Sequence, residues 1–321
     1  MTVRTSFFTP ARPNGPSSRA GRVLLGGALA ALLSLAGCGG GGNDEDVVDR
    51  GPTTISVAAK LNGLYWDPSE SRLYLTDDDS NSLKVWDGKT FSTAAAMPPA
   101  PPSGATLGGV ARTADGTFYV TRFGFGTDGT VVALPKSGAA YNLTGLDSAR
   151  RRVGLASAPD GALIDTWFVR GGTGSLSELS VSNGKGVEKD LISGLGKPVG
   201  VAVAGDQLFV SDQNTAQVLV FSLNAVRAKP AALADGRLLA TFTTLDGLDL
   251  MAAAKDGTLY VGGSAGKLYR ISPTGNVTTL VSGWPKIRGV ALDAANRRLL
   301  VAVTSPDVAT QPASIRIVPI D

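Results

Sequence analysis

The chain contains no histidine and one cysteine, Cys38. That excludes a Ser-His-Asp or Cys-His arrangement and a zinc site built on imidazoles, and it removes the commonest general base near pH 7. The polar groups left for chemistry return at one place in a repeating pattern: Asn62, Asp249 and Arg288, each just before a small or apolar residue of a short strand. An amide, a carboxylate and a guanidinium in one place can orient an anionic ligand, or neutralise one another as structural residues. Asp249 is the one candidate for a catalytic role. The companion positions in the other copies are Gly108, Val153 and Val199, so half of the ring is polar and half small and apolar. The Gly-rich runs 124–129 and 171–174 lie between strand patterns, not before helices, and read as turns rather than phosphate loops.

The elements that must position these residues are legible in residues 198–221. An apolar run over 199–203 is followed by a Gly205-Asp206 turn and a second strand over 207–211. An Asp212-Gln213-Asn214 turn then leads into an alternating third strand, 217–221. Dense β-branched residues between Gly/Asn/Asp clusters predict an antiparallel meander. The unit returns six times. Leu64, Val110, Leu155, Val201, Met251 and Val290 are equivalent, at spacings of 46, 45, 46, 50 and 39. A period near 45 with about four strands per unit predicts an all-β, six-bladed β-propeller. Small residues on each first strand suit convergence on a central axis, and the aromatic and branched residues of each second strand fill the space between blades. Residues 53–57 resemble 278–282, the outer strand before the last copy, while the last copy stops after its third strand at 314–320. The N-terminal strand is therefore expected to close the last blade and remove an open edge.

The ends carry a different message. Residues 1–37 hold four arginines and no acid; without them 26 basic residues face 27 acidic ones, and no basic stripe points to nucleic acid. A basic start ending at Arg22 and an apolar stretch over 23–36, too short to span a bilayer comfortably, make a signal segment. Its end, Leu35-Ala36-Gly37-Cys38, resembles the bacterial lipobox. That resemblance implies cleavage before Cys38, diacylation of its thiol and N-acylation (palmitate and related chains), and so a membrane partner. Two or more acyl chains anchor firmly where one does not. Residues 38–52, Gly-rich then acidic, are a flexible tether; residues 53–321 are the folded part. The expected location is the bacterial cell envelope, on the outer membrane facing the periplasm if the cell is Gram-negative.

Two families are resembled. Residues 198–221 are similar to an NHL repeat. Residues 61–68 (Leu-Asn-Gly-Leu-Tyr-Trp-Asp-Pro) with 72–77 (Arg-Leu-Tyr-Leu-Thr-Asp) resemble the opening strand pair of the senescence-marker-protein/gluconolactonase family. Both belong to one six-bladed superfamily. The second resemblance implies a divalent cation such as Ca²⁺ at the top of the channel, held by a Glu, an Asn and an Asp. Those positions fall here on Asn62, Val199 and Asp249, so one carboxylate is kept, and Arg288 stands one blade from both polar members. Metal at Asp249 and Asn62 is accordingly not expected.

The sequence reading is a lipid-anchored, monomeric propeller acting as a non-catalytic binding or scaffold module. Asn62, Asp249 and Arg288 take a small polar ligand or face an envelope protein, with no cofactor. The alternative is a metal-dependent, gluconolactonase-like hydrolase with a remodelled site. Two loops on the same face, 97–102 (Met-Pro-Pro-Ala-Pro-Pro) and Trp284-Pro285-Lys286, are each open to a rim or a packing role.

Overall fold

The computed structural model describes residues 53–304 and 312–321; the expected signal segment, Cys38 and the expected tether up to residue 52 lie outside the described residues. Six sheets form the blades, each starting at the axis; five are four-stranded and antiparallel, and the third adds a short parallel fifth strand, Ala231–Ala232, at its outer edge. The inner strands are Leu61–Asp67, Ala105–Arg112, Arg151–Ser157, Pro198–Ala204, Leu248–Ala253 and Lys286–Asp293, which open blades 1 to 6. Each touches the inner strands on either side, and the sixth touches the first, so the ring is closed.

Closure follows the expected route. Thr53–Ser56 pairs antiparallel with Ser314–Pro319, with Thr53 opposite Ile317 and Ser56 opposite Ser314, and supplies the fourth strand of blade 6. The Val57 N–H then donates to the Ala313 carbonyl at 2.9 Å, and Val57 packs with Leu300 and Ile315. Blade 4 departs from the plain meander. A short helix, Leu223–Ala228, capped by the Ser222 hydroxyl, intervenes between its third strand and Arg237–Thr241, which accounts for the longest repeat spacing.

The core lies between blades. Leu73 and Leu75 on the second strand of blade 1 and Val120 on that of blade 2 are fully buried, and the Tyr74 ring sits 4.3 Å from Phe118 of the next blade. Nearer the axis the constraint is reversed, because adjacent backbones almost touch. A Cβ on Gly63 would lie 2.0 Å from the Gly108 carbonyl oxygen, and one on Gly154 would lie 2.3 Å from that of Val199. Only glycine permits this approach, which is the physical reason for the small residue in the repeat.

Candidate functional site at the channel mouth

Every inner strand carries a β-bulge at the same height. The register with the second strand slips between Leu61 and Leu64, Leu107 and Val110, Arg152 and Leu155, Pro198 and Val201, Leu248 and Met251, and Ile287 and Gly289. The residues inside these slips include Asn62, Gly108, Val153, Val199, Asp249 and Arg288. A bulge leaves its extra residue unpaired and re-aims the side chain. The six positions equated by the repeat thus come together around one cavity of about 330 Å³.

A buried hydroxyl holds the bulge in blades 1, 3 and 4. The Gly63 N–H donates to Thr76 Oγ1 at 2.8 Å, Gly154 to Thr166 Oγ1 at 2.8 Å, and Gly200 to Ser211 Oγ at 2.9 Å. The Thr121 and Thr166 hydroxyls donate onward to the carbonyls of Val153 and Val199 in the next blades, at 2.6 and 3.0 Å. In blades 5 and 6 the matching residues are Gly262 and Ala302, without a hydroxyl. There a charged contact crosses the seam instead. Arg288 donates from Nε to Asn62 Oδ1 and from Nη1 to Asp249 Oδ2, both at 2.7 Å.

Asp249 is 2 % exposed, and burial pushes its carboxyl above the ordinary range; the charges of Arg288, Lys286 and Lys197 and the Leu250 N–H act against that rise. Lys286 is pushed below the usual ammonium range by burial and by the charges of Arg288 and Lys197, with Asp249 opposing. Three cations therefore act on one carboxylate, and the site favours an added negative charge.

Sequence reasoning missed two groups of mouth residues. Asp78, just past the second strand of blade 1, accepts the Leu107 N–H on Oδ1 at 2.6 Å, while its buried Oδ2 has no partner. Burial pushes its carboxyl up to about 6, against the Leu107 N–H and the charges of Lys60 and Arg288. With Asn62, Trp284, Lys286 and Arg288 it lines an adjoining cavity of about 540 Å³. The second group is on the side expected to be small and apolar. Phe123, Phe125 and Phe168, with Arg151 and Lys197, rise around Gly108, Val153 and Val199. They come from the ends of second strands and the starts of inner strands, which the bulge alignment does not reach.

The two open loops resolve differently. The fully buried Arg122 donates from Nη2 to the Pro98 carbonyl (2.8 Å) and from Nη1 to that of Pro99 (3.2 Å), with Asn81 and Asn142 taking its other bonds, so the proline loop is pinned to blade 2. Trp284 both lines the larger mouth cavity and stacks under Arg316, 4.3 Å from the guanidinium to the ring centre. A further cavity of about 660 Å³ lies beneath the blade 4 helix, but its acids are engaged: Asp206 accepts from Ser222 and Asn224, and Asp235 from the Ala232 N–H.

The donor set does not fit the divalent cation implied by the family resemblance. Ca²⁺ takes six to eight oxygen ligands, with affinity rising with their charge. Here the Asn62 and Asp249 oxygens each already accept from Arg288, the third position is Val199, and two lysines act on the same point. Among the described residues no cluster of three or more His, Cys, Asp or Glu side chains is placed to hold a metal.

No family model matches the chain, and no curated protein matches it by sequence. Solved structures do match in fold. A calcium-binding protein, regucalcin, from Agrobacterium tumefaciens superposes with a TM-score of 0.62 at 16 % identity, covering 81 % of this chain and 90 % of that one. A gluconolactonase from Xanthomonas campestris gives 0.62 at 19 %, covering 83 % and 89 %, and a luciferin-regenerating enzyme gives 0.62 at 17 %, covering 84 % and 95 %. The chain has the six-bladed propeller fold of these proteins.

Proposed function

We propose that the channel mouth is a small-molecule site and that its chemistry is metal-independent hydrolysis of a lactone. The observation that carries this reading is the pairing, on one cavity, of a carboxyl with an unpartnered oxygen, Asp78, and a guanidinium, Arg288. A carboxyl whose pKa is near 6 suits general-base work close to neutrality. In this reading Asp78 takes a proton from water as the water oxygen attacks the lactone carbonyl carbon. Arg288 donates a hydrogen bond to the carbonyl oxygen as it becomes negative, the role of an oxyanion hole. Collapse of the tetrahedral intermediate breaks the ring C–O bond. Asp78 returns the proton to the leaving alkoxide, and the product is a hydroxy acid, ionised at neutral pH. The gluconolactonase among the similar structures supports the reaction class, and regucalcin's calcium binding supports a metal-assisted version, against which the donor set here argues.

The second reading is a non-catalytic binding module using the same mouth. It is favoured by the hydrogen bonds that Arg288 already gives to Asn62 and Asp249, which hold the guanidinium as a fixed anion clamp. A hydrolysis screen over aliphatic and aryl lactones in the presence of a chelator separates the two. Hydrolysis lost in Asp78→Asn, with hydroxy-acid binding retained, supports the enzyme. Binding without turnover by the unmodified chain supports the module.

We also propose that the chain is exported and held on the envelope membrane through lipidated Cys38, with residues 38–52 as the tether. The support is the run of small residues that ends the apolar stretch just before the chain's single cysteine.

A further inference from the structure

Resting on the reading of the mouth as a small-molecule site, we infer that its ligand is an aromatic carboxylate: a planar ring seated on Phe123, Phe125 and Phe168, with its acid group between Lys197 and Arg151.

The three rings form one continuous wall. Phe123 lies 5.2 Å from Phe125, nearly edge to face, and 5.8 Å from Phe168, tilted. Phe168 is buried, and the wall opens progressively until Phe125, at its free end, is 51 % exposed. An exposed phenylalanine at the lip of a cavity leaves ring surface in water that a flat apolar ligand would cover. The cavity of about 330 Å³ falls in the size range of small-molecule sites.

Each inner ring carries a cation. The Arg151 guanidinium stands 5.2 Å from the centre of Phe123, and Lys197 Nζ 5.8 Å from that of Phe168. Among the described residues neither takes part in an ion pair, whereas the adjacent Arg152 is matched by Glu188 and Arg288 by Asp249. Arg151 Nε is buried without any hydrogen-bond partner. The acids on nearby elements are committed elsewhere. Asp212 accepts the backbone N–H groups of Gly196 and Lys197, and Asp128, on the Phe125 loop, accepts from the Ser103 hydroxyl. Asp249, the one carboxylate lining the cavity, is shared among Arg288, Lys286 and Lys197. An incoming carboxylate thus meets uncompensated positive charge beside an aromatic wall. A sugar acid would meet the same charge, but it would leave the three rings against hydroxyl groups.

Calorimetric titration of the purified full chain tests this with four probes: 3-phenylpropionate, 3-phenylpropanol (ring without charge), gluconate (charge without ring) and 3-cyclohexylpropionate (apolar but not planar). We expect 3-phenylpropionate to bind at least about tenfold more tightly than each of the others, and less tightly as salt is raised. Phe125→Ala and Lys197→Gln should each weaken it about five- to tenfold, and Lys197→Arg should restore most of the loss. Phe125 is half in solvent, so its variant keeps the fold, and that is checked by an unchanged melting temperature. Gluconate binding as well as or better than 3-phenylpropionate overturns the aromatic assignment and leaves the lactone reading standing. Binding of 3-phenylpropionate that ignores Phe125→Ala in a folded variant also overturns it. Tight aromatic binding with no lactone hydrolysed upholds it and removes the hydrolase. No binding of any probe defeats both.

Discussion

Arg288 and Asp249 meet at 2.7 Å across the seam between blades 6 and 5, with the Asp249 side chain 2 % exposed and the arginine 25 %. The same guanidinium reaches Asn62 in blade 1, so one side chain ties three consecutive blades, two of which, blades 5 and 6, lack the buried hydroxyl. Removing one partner of such a pair leaves an uncompensated buried charge. Arg288→Ala should therefore cost about 3–5 kcal/mol in urea unfolding at pH 7. The double variant Arg288→Met with Asp249→Leu should recover most of that, since no charge is then stranded. An equal loss in the single and double variants would contradict the ion-pair account.

Asp78 gives a prediction in pH. Its folded-state pKa of about 6 lies above the ordinary carboxyl value, so the folded protein holds that proton more tightly than the unfolded chain. The resulting stability is fully present below about pH 4 and is lost as pH rises through about 6. Relative to Asp78→Asn, the unmodified protein should fall behind by on the order of 2 kcal/mol between pH 4 and pH 8. Melting curves of the two proteins across that range check this, and curves that stay parallel would refute it. If Asp78 is also the base, the hydrolysis rate should rise with pH through the same window.

The contrast between Asp249 and Asp78 explains what was legible in the sequence. Asp249, Asn62 and Arg288 occupy a position fixed by backbone geometry. Each sits in an inner-strand bulge, and Asn62 and Arg288 are each followed by a glycine, Gly63 and Gly289, that must be small where blades crowd together. Crowding repeats with the fold, so its trace repeats in the sequence. Asp78 is the middle of three aspartates and looks like any acidic turn. Asp77 turns back to accept the N–H groups of Lys60 and Asp79, Asp79 is exposed, and only Asp78 reaches the Leu107 N–H of the next blade. No periodicity separates them. Phe123, Phe125 and Phe168 escaped for a related reason: they sit where second strands run out into loops of differing length, and the wall exists only once blades 2 and 3 are side by side.

The N-terminal strand should matter far more than the Gly-rich and acidic stretch before it. Thr53–Ser56 completes blade 6, and Val57 is buried against Leu300 and Ile315. Deleting residues 53–58 exposes the edge of Ser314–Pro319 and should lower the melting temperature and promote aggregation. Deleting residues 39–46 should do neither. Equal stability and solubility of the two truncations would show that closure contributes nothing.

The anchor is tested by Cys38→Ala. If the Leu35-Ala36-Gly37-Cys38 run directs lipidation, this variant loses both the lipid and cleavage before residue 38, and mass spectrometry of the purified protein reports both. An unmodified mature terminus at any residue other than Cys38 in the unaltered chain would overturn the assignment.

Metal addition tests the mouth from the opposite side. Asn62 and Asp249 both spend an oxygen on Arg288, and Lys197 and Lys286 act on the same carboxylate. Millimolar Ca²⁺ or Zn²⁺ should therefore barely move the melting temperature of the unmodified protein. Combining Asn62→Glu, Val199→Asn and Arg288→Ala removes the competing guanidinium and brings an amide and a second carboxylate to the bulges that face Asp249. Without metal the two carboxylates repel, so the triple variant should be less stable than its parent. With metal they become ligands, and at a hundredfold excess over Kd the ion should return about 2.7 kcal/mol. The signature is a melting temperature that rises with cation concentration in the variant and stays flat in the parent. Tight, stoichiometric binding by the parent in a calorimetric titration would mean that Arg288 yields its partners to a cation, and the hydrolysis step would then have to be rebuilt around that ion.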